Sequence, residues 1–268
     1  MRVSIIQMNA GADKAANHEC AASLIARAVA TDRTDMVVLP EMFAFHGMDS
    51  EGRRAAAETI PDGETYDFLK SLAVEHGIFV HGGSYIEKAG DSFFNTTVVF
   101  GPNGEELARY RKIHLFDVTT QDGKEYKESA VFSRGEDLVT YEGIEGRIGC
   151  SICYDLRFPE LYQGLAAAGC KVIMVPAAFT LMTGKDHWEV LLRARAIETE
   201  TYVVAPAQWG PYPGGKGASF GHSMIVDPWG NVISRIPEGD GFATARLDMG
   251  YVDTVRARIP VAEHKVLK

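Results

Sequence analysis

Apolar positions along the chain fall into alternating short runs and helical repeats. Residues 2–8 form a short apolar run and predict a strand, whereas residues 14–30 repeat Ala22, Ile25, Ala26 and Val29 at helical spacing. Residues 35–41 are again short and apolar, and Pro40, with no N–H for a ladder, marks the strand's end. Residues 65–76 predict a second helix, stopped by Gly77, and residues 78–85 a strand. Residues 95–100 and 106–111 read as a hairpin, because the Asn103-Gly104 step between them is a strong turn signal. Residues 117–134 are polar with little periodicity, as expected of a lid or binding loop.

The second half continues in the same way. Residues 147–152 read as a strand buried on both faces. Pro159 suits the first turn of a helix that runs on through residues 160–168 and stops at Gly169. Strands are expected at 171–176 and 202–207, separated by a loop at 177–184 and a helix at 186–200. Residues 221–226 and 232–236 pair across Asp227-Pro228-Trp229-Gly230-Asn231, residues 242–247 form a last strand, and Asp248 opens an arm. No composition break or linker interrupts the pattern, so residues 1–268 read as one layered α/β domain with a mixed sheet.

Composition narrows the function classes. The net charge of −9 argues against a general nucleic-acid surface or an anionic membrane surface. No apolar run approaches the length of a membrane span, and the opening residues turn polar too soon for a signal peptide. The four cysteines form no disulfide pattern and fit a reducing cytoplasm.

Candidate chemistry gathers at strand ends. Cys153 stands where a strand gives way at once to a helix, the geometry of an elbow that presents a nucleophile. A helix N-terminus lowers a thiol's pKa, so a reactive sulfur is expected there. The competing readings are a buried core cysteine, a Cys150–Cys153 redox pair and a zinc site; the last lacks further ligands at matching spacing. Glu41 closes the strand at 35–41, and the basic stretch Arg109-Tyr110-Arg111-Lys112 closes the second strand of the hairpin. Each is equally readable as a surface charge.

Taken together, three stretches resemble the nitrilase superfamily of carbon–nitrogen hydrolases. They are Leu39-Pro40-Glu41-Met42-Phe43, Tyr110-Arg111-Lys112-Ile113-His114-Leu115-Phe116-Asp117 and Cys153-Tyr154-Asp155-Leu156-Arg157-Phe158-Pro159-Glu160. The resemblance implies a four-layer α-β-β-α sandwich and a Glu41–Lys112–Cys153 triad, with Glu128 in Lys127-Glu128-Ser129 as a second glutamate beside it. It also implies a homodimer or larger homo-oligomer, a small-molecule amide substrate, and no metal or organic cofactor. Ala178-Phe179-Thr180, Thr183-Gly184 and the stretch from His187 to Glu198 resemble most closely the amidase branch that holds deaminated-glutathione amidases and ω-amidases of 2-oxo acids. Thr180 leans to the first group, whereas the Thr119-Thr120-Gln121-Asp122 stretch does not separate the two. N-carbamoyl amine hydrolysis and a catalytically silent scaffold are the alternatives.

The expected chemistry is attack of Cys153 on an amide carbonyl, with Glu41 as base, a thioester intermediate and release of ammonia. Lys112 and the Tyr154 N–H would meet the oxyanion. Lysine's charge would also favour the thiolate. Because the chain is net acidic, a substrate carboxylate needs a local cation. Arg157, placed about one helical turn past Cys153, is the candidate, with an ion pair to Asp155 or Glu160 as its competing role. Phe179 is the candidate apolar wall for the substrate chain.

Overall fold

The computed structural model describes all residues except Met48, Asp122, Lys216, Leu267 and Lys268. Two sheets lie face to face at its centre. The first runs in the order 241–246, 2–7, 36–38, 79–81, 92–100, 85–89, with Glu106–Arg111 pairing on the other edge of Ser92–Phe100. The second runs in the order 232–235, 224–226, 202–205, 172–174, 147–150, 140–142. Each has a parallel centre (Val3 beside Met36, Ile148 beside Val172, Val172 beside Tyr202) and antiparallel edges. That mixture follows from helical crossovers between the central strands and hairpins outside them.

Two-sided burial explains the continuous apolar runs. Along Arg2–Gln7, Val3 and Ile5 face the space between the sheets, while Ile6 points outward against Leu24 and Ile25 of the helix Lys14–Asp32. On the other side, Trp188, Leu192 and Ala196 of the helix Leu181–Thr199 cover the second sheet. Helix, sheet, sheet and helix therefore form four layers, as expected.

Several boundaries differ from the sequence reading. The strand expected at 78–85 is broken into Phe79–His81 and Tyr85–Ala89. At the break Gly83 has φ +56°, and an added Cβ would lie 2.1 Å from the Pro40 carbonyl oxygen. Only glycine allows the Leu39-Pro40 backbone to come so close. The polar loop at 117–134 contains a small hairpin, Asp117–Thr119 with Glu125–Lys127, and then a turn of 3-10 helix at Glu128–Ala130. Asp122 lies outside the described residues. The helix expected from residue 186 begins at Leu181. The expected arm is the helix Met249–Arg258, which buries Met249, Val252 and Val255. A further hairpin, Trp209–Pro211 with Ala218–Phe220, gave no clear periodic signal because each strand has three residues.

Candidate active site

Strand ends from both sheets meet at one cavity. Glu41 follows the strand Met36–Val38 in a turn tied to the glycine break, through Ser84 N–H to the Pro40 carbonyl and Met42 N–H to Ser84 Oγ. Lys112 follows Glu106–Arg111 directly. Cys153 lies just beyond Arg147–Cys150, with φ +48°, and opens a short 3-10 helix, Cys153–Arg157. A non-glycine residue in the left-handed region is a strained position of the kind that gathers at functional sites.

The elbow is pinned by a residue that the sequence reading passed over. Asp155 is fully buried; its Oδ2 accepts from Ile152 N–H at 2.9 Å and from Tyr110 Oη at 2.7 Å. Its Oδ1 accepts from His114 N–H at 3.0 Å and lies 2.7 Å from His114 Nδ1. Tyr110 and His114 flank Lys112 in sequence, so one carboxylate locks the nucleophile's elbow to the lysine's strand across the two sheets. Its place beside Cys153 was the available signal, but its partners are far away in the chain.

The polar side chains converge. Lys112 Nζ donates to Glu41 Oε1 at 2.9 Å and to both Glu128 oxygens, at 3.1 and 2.9 Å. Asn95 Nδ2 donates to Glu41 Oε1 at 2.8 Å, and Phe116 N–H to Glu128 Oε2 at 2.6 Å. Cys153 lies in the same cluster, close enough to Glu41, Lys112 and the Ala178 N–H for each to act on its thiol. Glu41, Lys112, Glu128 and Cys153 are thus brought together, with Asn95 as an addition that no motif announced.

Electrostatics set the resting protons. Burial pushes the Glu41 carboxyl upward, but Lys112, the thiol and Asn95 outweigh it and hold it below the usual carboxylate range. Burial pulls the Lys112 ammonium down, yet Glu128 and Glu41 raise it well above the ordinary lysine value. The Cys153 thiol is pushed well above its usual value, by burial and then by Glu41, against the pull of Lys112. The lowered thiol pKa expected from the helix start is therefore reversed. At rest the cluster holds a carboxylate, an ammonium and an intact thiol side by side.

A pH prediction follows. Because Glu41's pKa is lowered on folding, its contribution to stability is present above an unfolded value near ~4.3 and is lost as pH falls through the folded value. Lys112's raised pKa contributes below ~10.4 and is lost only as pH rises through a still higher folded value. kcat/KM should stay level through neutral pH and acquire its acid limb only below about pH 4.3. Glu41→Gln should erase that limb while lowering activity by roughly 10²–10⁴. A wild-type acid limb near neutrality would contradict the assignment of Glu41 as base.

The cavity around the cluster is lined by Met42, Phe45, His46, Gly47 and Arg53 from the segment after the Glu41 turn, and by Tyr154, Ala178, Phe179, Thr180 and Thr183, which follow strands of the second sheet. Phe116, Tyr126, Lys127 and Tyr212 complete the lining. Tyr154 and Phe179 thus line the cavity as expected, but Arg157 does not. Its guanidinium lies over the Phe179 and Tyr154 rings, 5.4 and 5.9 Å from their centroids, and 3.3 Å from His187 Nδ1. The cause is the elbow's 3-10 winding: with about three residues per turn, side chains at i and i+4 do not share a face. Nor does Arg157 pair with Asp155, whose oxygens are taken by other donors. Among the described residues no group of His, Cys, Asp and Glu is arranged to hold a metal ion.

The fold is a four-layer α/β sandwich whose strand ends gather a cysteine, two glutamates and a lysine at one cavity. The carbon-nitrogen hydrolase family model matches residues 2–257, and the chain belongs to that family. It is 41% identical over 266 residues to a deaminated glutathione amidase of Synechocystis, covering 97% of this chain and 96% of that protein. It is 37% identical to an omega-amidase of Danio rerio, covering 98% and 94%. Among solved structures, a Saccharomyces cerevisiae protein of branch 10 of the nitrilase superfamily superposes with a TM-score of 0.89 at 30% identity, covering 100% of this chain and 97% of that one. The chain is accordingly a carbon–nitrogen hydrolase of the amidase type.

Proposed function

We propose that this amidase works through Cys153, Glu41, Lys112 and Glu128, and that its substrate is a small amide carrying a carboxylate, led by deaminated glutathione with 2-oxoglutaramate second. The observation that carries the reading is the Lys112 ammonium held by the Glu41 and Glu128 carboxylates in the cavity that Cys153 lines. Glu41 takes the thiol proton as sulfur bonds to the amide carbon. The oxyanion is met by Lys112 and by the Tyr154 N–H, which has no protein acceptor among the described residues. Glu41 passes the proton to the departing nitrogen, the C–N bond breaks, and a thioester remains. Water then gives a proton to Glu41, attacks the thioester and releases the acid, and the sulfur recovers the proton. The departing group is ammonia from an ω-amide. From deaminated glutathione it is the amine of cysteinylglycine, since that amide nitrogen belongs to the dipeptide.

Glu128 accepts from Lys112 together with Glu41, with Asn95 Nδ2 reaching both carboxylates, and so positions the ammonium. Phe179 serves as the apolar wall for the acyl chain. Arg157, over that ring, adds positive potential without a direct hydrogen bond to substrate. The test is a panel of acid amides and their uncharged methyl esters, scored by kcat/KM in wild type and Arg157→Gln. Wild type should favour the acids and deaminated glutathione above all. Arg157→Gln should reduce that preference by less than the roughly ten- to hundredfold of a direct charged hydrogen bond. A wild type that prefers the esters would overturn the substrate reading.

We further propose that residues 1–268 act as one domain in a cytoplasmic homodimer. The strand Gly241–Arg246 pairs with Arg2–Gln7 and ties the two ends of the chain together. All four cysteines are free thiols, which suits a reducing compartment. Val190 and Ile197 on the helix Leu181–Thr199 are 67% and 51% exposed, and Trp229 beside them is 48% exposed, an apolar face that a second copy would cover. Sedimentation should give a dimer that Val190→Glu with Ile197→Glu dissociates; a monomeric wild type would exclude it.

A further inference from the structure

One cation on the cavity wall has no counter-charge. Arg53 lies on the short helix Ser50–Ala55, half-buried, and its Nε donates to the Gly47 carbonyl at 2.8 Å. It makes no ion pair among the described residues, in contrast to Arg109, Arg111 and Arg195, each of which holds a glutamate. With Nε engaged, the guanidinium is fixed in orientation and its two terminal nitrogens remain available as a fork. That end of the group matches a carboxylate with two parallel hydrogen bonds. Of the lysines nearby, Lys127 is exposed and sits opposite Asp117 in its hairpin, whose charge offsets it, and the Lys124 ammonium lies over the Tyr126 and Tyr212 rings.

The position of Arg53 says which end of a substrate it meets. It lines the same cavity as Glu41, and His46 lies within electrostatic reach of both. Burial, with Arg53 opposing Glu41, pushes His46 down to about 4, so the imidazole stays neutral and does not compete for an anion. Cys153 lies beside the Ala178 N–H, next to Phe179 in the chain. In the tetrahedral adduct the sulfur approaches from the side of Ala178 and Phe179, and the nitrogen must turn toward Glu41 to receive its proton. The acyl chain then extends along Phe179, and whatever is attached to the nitrogen extends past Glu41 toward His46 and Arg53.

We propose that Arg53 binds a carboxylate on the amine half of the substrate. The enzyme is thereby directed to amides whose leaving group is an amino acid or short peptide rather than ammonia. This rests on the functional reading above and deepens it, because it separates peptide-type amides from primary ω-amides by one residue.

The test uses the full-length enzyme and one acyl group, 2-oxoglutaryl, joined to ammonia, to alanylglycine or to alanylglycinamide. The last two differ only in the terminal carboxylate. Wild type should favour the alanylglycine compound over its glycinamide counterpart in kcat/KM by roughly ten- to hundredfold, the range of a charged hydrogen bond. Arg53→Gln should bring that ratio near one, and Arg53→Lys should keep only part of it, since a point charge lacks the planar fork. The ratio is taken within one preparation, so a partly misfolded variant does not distort it. If the ratio is the same in wild type and Arg53→Gln, or is near one in wild type, Arg53 does not bind the substrate's amine half and the inference fails, while the amidase reading stands. If wild type hydrolyses none of the three compounds, the amidase reading fails and takes this inference with it.

Discussion

Cys153→Ala should give a folded protein whose kcat is lower by on the order of 10⁴-fold or more, because every chemical step of the proposed mechanism passes through the sulfur. Little else should change. The side chain is 7% exposed and the substitution removes one sulfur atom, so the elbow, held by Asp155, keeps its shape. Cys150→Ala is the matching control. That thiol is fully buried in the neighbouring strand, burial pushes its pKa far up, and it lines no part of the cavity. It should retain most activity. Mass spectrometry of wild type quenched during turnover should find an acyl adduct on Cys153. An adduct on Cys20, Cys150 or Cys170 instead would sink the assignment and revive the redox-pair or structural readings of this stretch.

Lys112→Ala should be the second large effect, and it should appear in stability as well as rate. The ammonium is 2% exposed and lies between two carboxylates, Glu41 and Glu128. Removing it deletes an oxyanion donor of about 3–4 kcal/mol, so kcat should fall by at least roughly 10²–10³. It also leaves two buried carboxylates around one site, and breaking a buried pair in this way typically costs about 3–5 kcal/mol of folding free energy. One of the two should take up a proton instead of remaining charged. Adding Glu128→Gln to Lys112→Ala removes that repulsion, and should restore much of the stability and none of the rate. Denaturant unfolding beside single-turnover kinetics separates the two effects. A Lys112→Ala enzyme with near-normal kcat would show that the oxyanion is stabilised elsewhere.

Much of the chemistry was legible in the sequence because reactive residues mark the ends of recognisable strands. Glu41 follows a Pro-terminated apolar run, Lys112 closes the second strand of an Asn-Gly hairpin, and Cys153 precedes a helix that opens at Pro159. These are local signals, and periodicity with turn chemistry reads them. Element boundaries were legible only where a local stop was strong. Gly77 ended its helix as expected, whereas the break at Gly82-Gly83 depended on a contact with Leu39 and Pro40 from another strand. The hairpin at the cavity opening and the C-terminal helix were missed for a related reason. Short strands and weakly amphipathic helices are stabilised by what they pack on, not by their own pattern.

By itself, then, the sequence determined the alternation of strands and helices, the two-sided burial of the central strands and the residue types at their ends. The tertiary structure decided how those ends face one another. It put Glu41 against the thiol, so that burial and a neighbouring carboxylate keep Cys153 protonated where local reasoning expected a thiolate. It used Asp155 to lock two sheets at the elbow, and it wound that elbow as a 3-10 helix, turning Arg157 away from the cavity and leaving Arg53 in the lining with no ion pair among the described residues. Charge, desolvation and facing direction depend on distances between residues far apart in the chain, and no local pattern carries those distances.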